Sequence, residues 1–473
     1  MTLDPTDWDA YTKTAHELLD TCIERMKNAD QYPWREVPKE LKKGGYNLRE
    51  DGIGYAQLSE NLTRDILPYH SGNTHPNFFG WVQGTGNPAA FLGDMVASAM
   101  NSNCGGRDHG AVYVERSVID WTKKVMGFPE TASGVLVAGT SQATVISLQC
   151  ACVKALGADI RETGNTNDNL RVYIASSVHA ATIKAVELLG LGRRSLVHVN
   201  SNDGAMDPDD LKQRIDADIA NGLTPLAIVA TAGTVDIGAF DDFHAIANVA
   251  QAHKIWLHVD GAFGAWAKLA DGDVSKLADG LERADSLACD FHKWMYVQYD
   301  CAIALIRDRK IHEASFSSRP NYLAPQSAGI GGGDPWYCDY GIDLSRGNRA
   351  LKIWATISTL GNAALGDAIA GNCQLASFMA SEISKHRLME VVVNVTSNIC
   401  VFTANKNLPA STQSELNTKI AQELQLSGVA VFSTTKIKDV VVLRGAITNH
   451  RTSESSIRNA LDAIDKALKN RGY

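Results

Sequence analysis

Several short stretches of the chain put reactive side chains directly after apolar runs. "GVLVA" (134–138) is followed by Gly139, Thr140 and Ser141, and "RVYIA" (171–175) by a short polar turn ending in His179. "LAIVAT" (226–231) leads into Ala232, Gly233 and Thr234, and "IWLHV" (255–259) into Asp260, Gly261 and Ala262. In "ADSLACDFHKWMYVQYDCAIALI" (284–306), Asp290, His292 and Lys293 stand between two apolar runs. Singly, each has an ordinary explanation. Thr140 and Ser141 are good helix caps, His179 could be a satisfied core histidine, Thr234 a turn residue, Asp260 a cap or salt-bridge partner, and Lys293 a solvated ammonium. As a set they offer something else. Small residues and hydroxyls at a helix start attract a phosphate. A carboxylate ending an apolar strand needs a partner, because burying a lone charge is costly, and a protonated heterocyclic nitrogen is one such partner. His179 could lie flat on a planar ring. Lys293 could be a nucleophilic amine.

These residues need a frame that brings strand ends together. From about residue 85, apolar β-rich runs, including "CAIALI" (301–306), alternate with helical patterns such as "FHAIANVAQAHK" (243–254). Runs that are apolar on both faces are typical of parallel strands covered by helices. The expectation is a doubly wound α/β domain, with ligands at the C-terminal ends of its strands. Before it, residues 7–29 and 49–67 have the spacing of amphipathic helices, separated by "QYPWREVPKEL". Residues 316–348 are rich in Gly, Pro and Ser, and a loop of that length is usually functional or disordered. A helix is expected from Arg349 to about Leu365. After about 370 the order becomes helix, strand, helix, strand, helix, with "VVVLRGAIT" (440–448) the clearest strand. The expected division is an N-terminal helical arm (1–85), a large domain (86–370) and a small α+β C-terminal domain (371–473).

Composition narrows the function. The chain has 473 residues, 45% of them hydrophobic and 21% charged, with a formal charge of −8. That is an ordinary globular balance with nothing to favour a nucleic acid. No apolar run has the length of a membrane span. The acidic N-terminus does not read as a signal peptide. The nine cysteines form no CxxC pair, which points to free thiols in a reducing compartment and no metal site. The expected location is the cytoplasm.

A helix start for a phosphate, an aspartate for a pyridinium nitrogen and a lysine for an aldehyde are the partners of one cofactor, pyridoxal 5'-phosphate (PLP). Asp260 and Lys293 stand 33 residues apart, in a plausible chain order.

The chain also resembles the PLP-dependent group II amino-acid decarboxylases, the family of the aromatic-L-amino-acid, histidine and glutamate enzymes. The matching segments are "HPNFFGWVQGTGNP" (75–88), "GVLVAGTSQAT" (134–144), "SSVHAATIKA" (176–185), "ATAGTVDIGAFDD" (230–242), "WLHVDGAFG" (256–264), "ADSLACDFHKW" (284–294), "RPNYL" (319–323) and "RALKIW" (349–354). The resemblance implies a fold-type I (aspartate aminotransferase-like) PLP enzyme with a mainly parallel seven-stranded sheet. It also implies a homodimer with shared active sites. By position, Lys293 would be the Schiff-base lysine and Asp260 the partner of the pyridine nitrogen. Ala262 and His179 would cover the two ring faces. Gly139, Thr140, Ser141 and His292 would hold the phosphate, with Thr234 near the ring hydroxyl. Tyr322 would protonate Cα from a mobile loop reaching the partner's site.

The chain departs from the family pattern in places. Asp290, counted with the cofactor residues, stands where aromatic members carry asparagine. The loop after Tyr322 is longer and carries Gly331, Gly332 and Gly333. Trp81 and Val82 match an aromatic-apolar pair of the substrate pocket. Asn73, Asn101 and Asn103 stand in place of apolar pocket residues, unless the asparagines at 101 and 103 only cap a helix. Ser345 matches a position that helps set side-chain size. The expected reaction is decarboxylation of an L-amino acid to its amine, most simply tryptophan, tyrosine, phenylalanine or a hydroxylated analogue. The alternatives are a non-aromatic substrate (glutamate, aspartate, cysteine sulfinate or another polar side chain) and an aldehyde-forming route. Transamination and an inactive scaffold fit less well with Lys293, Asp260, His179 and Tyr322 all present.

Overall fold

The computed structural model describes residues 3–46, 48–318 and 326–473. The chain divides into two compact units. The smaller takes Met1–Trp81, Phe378–Val392 and Val401–Tyr473, and the larger takes Val82–Ser377 and Val393–Cys400.

The smaller unit opens with α1 (Trp8–Lys27), capped by the Asp7 carboxylate, which accepts the Ala10 N–H at 2.9 Å. The second N-terminal helix, α2 (Gly54–Asn61), is shorter than the periodicity over 49–67 suggests. Gly54 takes a left-handed φ of 72° that delays its start, and a π-helical turn (Leu62–Ile66) and a 3₁₀ turn (Leu67–Tyr69) replace α-helix beyond Asn61. Neither helix buries a residue. A two-residue strand, β1 (Phe78–Phe79), follows.

The larger unit begins with α3 (Pro88–Met100) and α4 (Gly110–Val125). Next come β2 (Ser133–Val137), α5 (Thr140–Leu156), the single turn α6 (Ile160–Thr163), β3 (Leu170–Ala175), α7 (Ala180–Leu188) and β4 (Leu196–Val199). A small hairpin of β5 (Ser201–Asn202) and β6 (Ala205–Met206) precedes α8 (Pro208–Ala220), β7 (Thr224–Thr231), α9 (Phe243–His253) and β8 (Trp256–Asp260). The unit continues through α10 (Asp273–Lys276), β9 (Ser286–Asp290), β10 (Ala302–Ile306) and α11 (Arg309–Phe316) to α12 (Ala350–Ser384), of which residues 350–377 belong to it. Seven strands form one sheet in the order β2-β10-β9-β8-β7-β3-β4. β10 runs antiparallel to both neighbours, and the remaining pairs are parallel. This is the mainly parallel seven-stranded sheet that the resemblance implied. Every residue of β2, β8, β9 and β10 is buried, which is why most of these strands read as unbroken apolar runs. β4 and β9 did not stand out in the sequence. β9 is broken up by Ser286, Cys289 and Asp290, and β4 is four residues long and half exposed. α12 outruns the expected end near Leu365, but Gly361, at φ 72°, divides it.

Two packing features hold the site. Trp266 and Phe291 have ring centroids 4.8 Å apart, and Phe263 and Trp294 5.8 Å apart. All four rings are buried, and they clamp the segment that follows β9. Elsewhere, Arg346 and Glu115 of α4 form an ion pair at 2.6 Å, with side chains 2% and 1% exposed. The guanidinium also donates to the carbonyls of Cys104 and Leu136. Glu115 accepts the Leu136 N–H at 3.1 Å, which ties the pair to β2.

The rest of the smaller unit contains β11 (Glu390–Val391), β12 (Ile399–Thr403, from Val401 on), α13 (Ala410–Ser427), β13 (Val431–Ile437), β14 (Val440–Ala446) and α14 (Glu454–Lys469). Its sheet runs β1-β13-β14-β12-β11. Lys438 and Asp439, both at positive φ, make the two-residue turn between β13 and β14, the geometry that suits the twist of a hairpin.

Candidate active site

The sheet register sets the site. Ala302 of β10 pairs with Asp290 on one side and with Val137 on the other. The end of β9 and the start of α5, three residues beyond Val137, are thereby brought to one edge. Asp260 ends β8 at the same edge, paired with Thr231 of β7 and Ala288 of β9.

Asp290 is the most heavily engaged residue there. Its Oδ1 accepts the Thr140 N–H at 2.7 Å. Its Oδ2 lies 2.8 Å from Lys293 Nζ and 3.7 Å from His292 Nε2. Its backbone is fixed as well: the N–H donates to the Ala262 carbonyl at 2.9 Å, and the carbonyl accepts from Trp266 Nε1 at 2.8 Å. Burial alone would raise this carboxyl, but the charges of Lys293 and His292 and hydrogen bonds from Lys293 and Thr140 hold it below the usual range. Asp290 is an anion at neutral pH.

Asp260 behaves differently. It is buried and accepts the Ala262 N–H at 3.1 Å, but forms no ion pair among the described residues. Burial pushes its carboxyl up, against the pull of the Lys293 charge, the Ala262 N–H and His179. This is a carboxyl short of a cation.

His292 accepts the Cys301 N–H at Nδ1, 3.1 Å away, so in the neutral ring the proton sits on Nε2. Burial pushes the imidazole down, and the Asp290 charge opposes this. The ring lies 4.3 Å from that of Tyr299, whose hydroxyl burial pushes up to about 12. His179 caps α7 by accepting the Ala181 N–H at 3.2 Å, and its ring is exposed. Thr234 is wholly buried, and its hydroxyl accepts the Ala239 N–H at 3.0 Å, closing the turn after β7. Ser141 is exposed in the first turn of α5. Tyr322 lies outside the described residues.

The arrangement fits pyridoxal phosphate. Gly139 gives α5 no side-chain cap, and the Thr140 hydroxyl is buried with no hydrogen-bond partner among the described residues. That helix start can take a phosphate. Asp260 can take a ring N–H, and Lys293 stands within its field.

The substrate-pocket candidates are divided between the two units. Trp81, 53% exposed, ends the smaller unit's first segment, and its N–H donates to Ser433. Asn73 is in the same unit and accepts from the Ser71 hydroxyl. Val82, in the larger unit, is buried. Asn101 closes α3 in a left-handed conformation, φ 43°, the helix-capping role that the sequence left open for it. Asn103 Oδ1 accepts the N–H groups of Gly105 and Arg346 at 2.9 and 3.0 Å. Asn103 is thereby brought beside the turn that carries the exposed Ser345.

Sequence reasoning missed two neighbours of the His292–Lys293 pair. Tyr299, against the His292 ring, is one. Gly84 is the other: a Cβ there would collide with the carbonyl oxygens of His292 and Lys293, so a side chain is excluded. The "QGTGNP" string was the available signal, but nothing in it names the surface it lies against.

Residues 38–405 match the family model described as the pyridoxal-dependent decarboxylase conserved domain. The chain is 30% identical over 461 residues to an aromatic-L-amino-acid decarboxylase of Bacillus atrophaeus, a match covering 96% of this chain and 94% of that protein. Its fold matches that of Oryza sativa TDC, solved with PLP and tryptamine, with a TM-score of 0.89 at 25% identity, over 99% and 100% of the two chains. It matches mouse CSAD with a TM-score of 0.90 at 23% identity, over 98% and 99%, which is a likeness of fold.

Proposed function

The chain belongs to the pyridoxal-dependent decarboxylase family, and from that premise we propose that it removes the α-carboxyl group of an aromatic L-amino acid as CO₂ and returns the amine. The observation that carries this is the buried Asp260, a carboxyl without an ion-pair partner among the described residues, in the field of Lys293 at the same sheet edge. Bound pyridoxal phosphate supplies an electron sink for the pair left at Cα when CO₂ departs.

The protein's residues serve that sink. Asp260 would keep a proton on the ring nitrogen. Lys293 would hold the cofactor and yield it to the substrate amine. The first N–H groups of α5, the Thr140 and Ser141 hydroxyls and the His292 Nε2–H would hold the phosphate. His179 and Ala262 would flank the ring, with Thr234 beside its hydroxyl. Tyr322 would deliver the proton to Cα.

Trp81, Val82, Asn101, Asn103 and Ser345 would face the substrate side chain. The amide hydrogens of Asn103 have no partner among the described residues, and this favours a second reading, a substrate whose side chain carries an acceptor. An aldehyde-forming outcome stays the third.

The division into an arm (1–85), a cofactor domain (86–370) and a C-terminal domain (371–473) is part of the proposal, as is a homodimer with shared active sites. In support of the dimer, α3 exposes Leu92, Met95, Val96 and Met100, and α1 exposes Trp8, Tyr11 and Ile23. Apolar surface of this kind marks an interface. A cytoplasmic location agrees with nine free cysteines. No described helix is long and apolar enough to cross a membrane.

The test is CO₂ release by the PLP-loaded protein across amino acids, with the organic product identified. Amine formation from tryptophan, tyrosine, phenylalanine or a hydroxylated analogue is expected. Activity confined to acidic or sulfinated substrates, or aldehyde in place of amine, would overturn the first reading.

A further inference from the structure

Asp290 places a negative charge where the cofactor's phosphate should come to rest. α5 has no side-chain cap of its own. Asp290 Oδ1 supplies one from the neighbouring part of the sheet, taking the Thr140 N–H at 2.7 Å. Its Oδ2 is the counter-ion of Lys293 at 2.8 Å. The carboxylate has little freedom to leave. Its side chain is 3% exposed, and its backbone is held by Ala262 and Trp266. A phosphate drawn to the same helix start therefore meets a fixed like charge, and like charges a few ångströms apart in a buried site oppose each other strongly.

We propose that Asp290 is a positioning residue that governs cofactor capture: in the cofactor-free chain its carboxylate pairs with Lys293 Nζ and occupies the Thr140 N–H, so the phosphate of the incoming cofactor competes with it. This rests on the reading of the site as one for pyridoxal phosphate. The consequence is a protein that trades cofactor affinity for a stable, charge-paired empty site.

The experiment measures binding of pyridoxal phosphate, pyridoxal and inorganic phosphate to the full-length chain depleted of cofactor, in wild type and Asp290→Asn. Asparagine keeps an acceptor for the Thr140 N–H and removes the charge. The variant should bind pyridoxal phosphate about tenfold more tightly and inorganic phosphate more tightly too. Pyridoxal, which lacks the phosphate, should gain less. Equal or weaker binding of pyridoxal phosphate by the variant overturns the proposal, and so does an equal gain for pyridoxal, which would locate the effect at Lys293 alone. A purely structural role for Asp290 would not separate the two ligands. If Asp290→Asn does not fold, Lys293→Met tests the same charge balance. It leaves Asp290 without its counter-ion, so inorganic phosphate should bind about tenfold more weakly, and unchanged binding overturns the proposal. A wild-type chain that binds no pyridoxal phosphate overturns the reading beneath as well. A wild type that binds it, with no gain in Asp290→Asn, overturns only this inference.

Discussion

The cofactor end of the larger unit and its substrate-facing candidates are built by different means. Asp260 and Asp290 are the last residues of buried strands, and sheet register fixes both. Around them the polar groups are interlocked: Asp290 engages Thr140, Lys293 and His292, and Ala262 serves both aspartates. Asn101, Asn103 and Ser345 instead sit at a helix end and in turns, exposed in the single chain. The contrast separates two jobs. In the proposed site the chemistry shared by every substrate would rest on strand ends, where a shift in position would cost a ladder of hydrogen bonds. The choice among substrates would rest on loop backbone, where small changes are tolerated.

The largest effect that tests this division belongs to Asp260. Asp260→Ala removes the group that would keep the ring nitrogen protonated. Activity should fall about a thousandfold, and by the same factor for every amino acid accepted. Thermal stability should hold or rise, because a buried carboxyl short of a cation costs folding free energy. Steady-state rates on two substrates and a melting curve decide the matter. A loss confined to one substrate would break the comparison, since it would make Asp260 part of the selective machinery.

The same contrast explains what the sequence could reveal. β2, β3, β7, β8 and β10 are legible because helices cover both faces of the sheet and force apolar runs. The residues after them are legible because ligands gather at such strand ends. β9 is hidden because its small and polar residues, Ser286, Cys289 and Asp290, serve neighbours across the sheet: Ser286 accepts from Trp256 Nε1, and Asp290 from Thr140. The Asp290–Thr140 contact spans 150 positions and depends on Ala302 pairing with two strands at once, which no local pattern encodes. Gly84 is a similar case, since its need for a bare Cα comes from carbonyls more than 200 residues away. Asn103 was legible as a polar residue. That its oxygen is already committed to Gly105 and Arg346 was not.

The two regions are not independent, and the Glu115–Arg346 pair is where they meet. Glu115 holds the Leu136 N–H of the strand leading to Gly139 and Thr140, and Arg346 follows Ser345 and donates its own N–H to Asn103. Glu115→Gln leaves a buried guanidinium without its counter-charge, which should cost about 3 kcal/mol. Denaturant unfolding of the cofactor-free chain measures it. The double variant Glu115→Gln, Arg346→Met should be less destabilised than the sum of the single changes, because no charge is stranded in it. Strict additivity would mean that the pair does not couple the two regions.

The smallest expected effect is the most selective. Asn103 uses its side-chain oxygen to brace the turn at Arg346, which orients its amide hydrogens away from those two N–H groups. Asn103→Asp keeps an acceptor for Gly105 and Arg346 and removes the donors. If the side chain only braces the turn, the aspartate should behave like the wild type on every substrate. If it also reads the substrate, those with a hydroxyl or other acceptor should lose about tenfold in kcat/KM relative to phenylalanine, because a site that donates hydrogen bonds discriminates by them. The ratio of the two substrates in one competition assay is the quantity to read, since it cancels any change in the amount of active enzyme. An unchanged ratio would assign Asn103 to the framework and leave substrate choice to Trp81, Asn101 and Ser345.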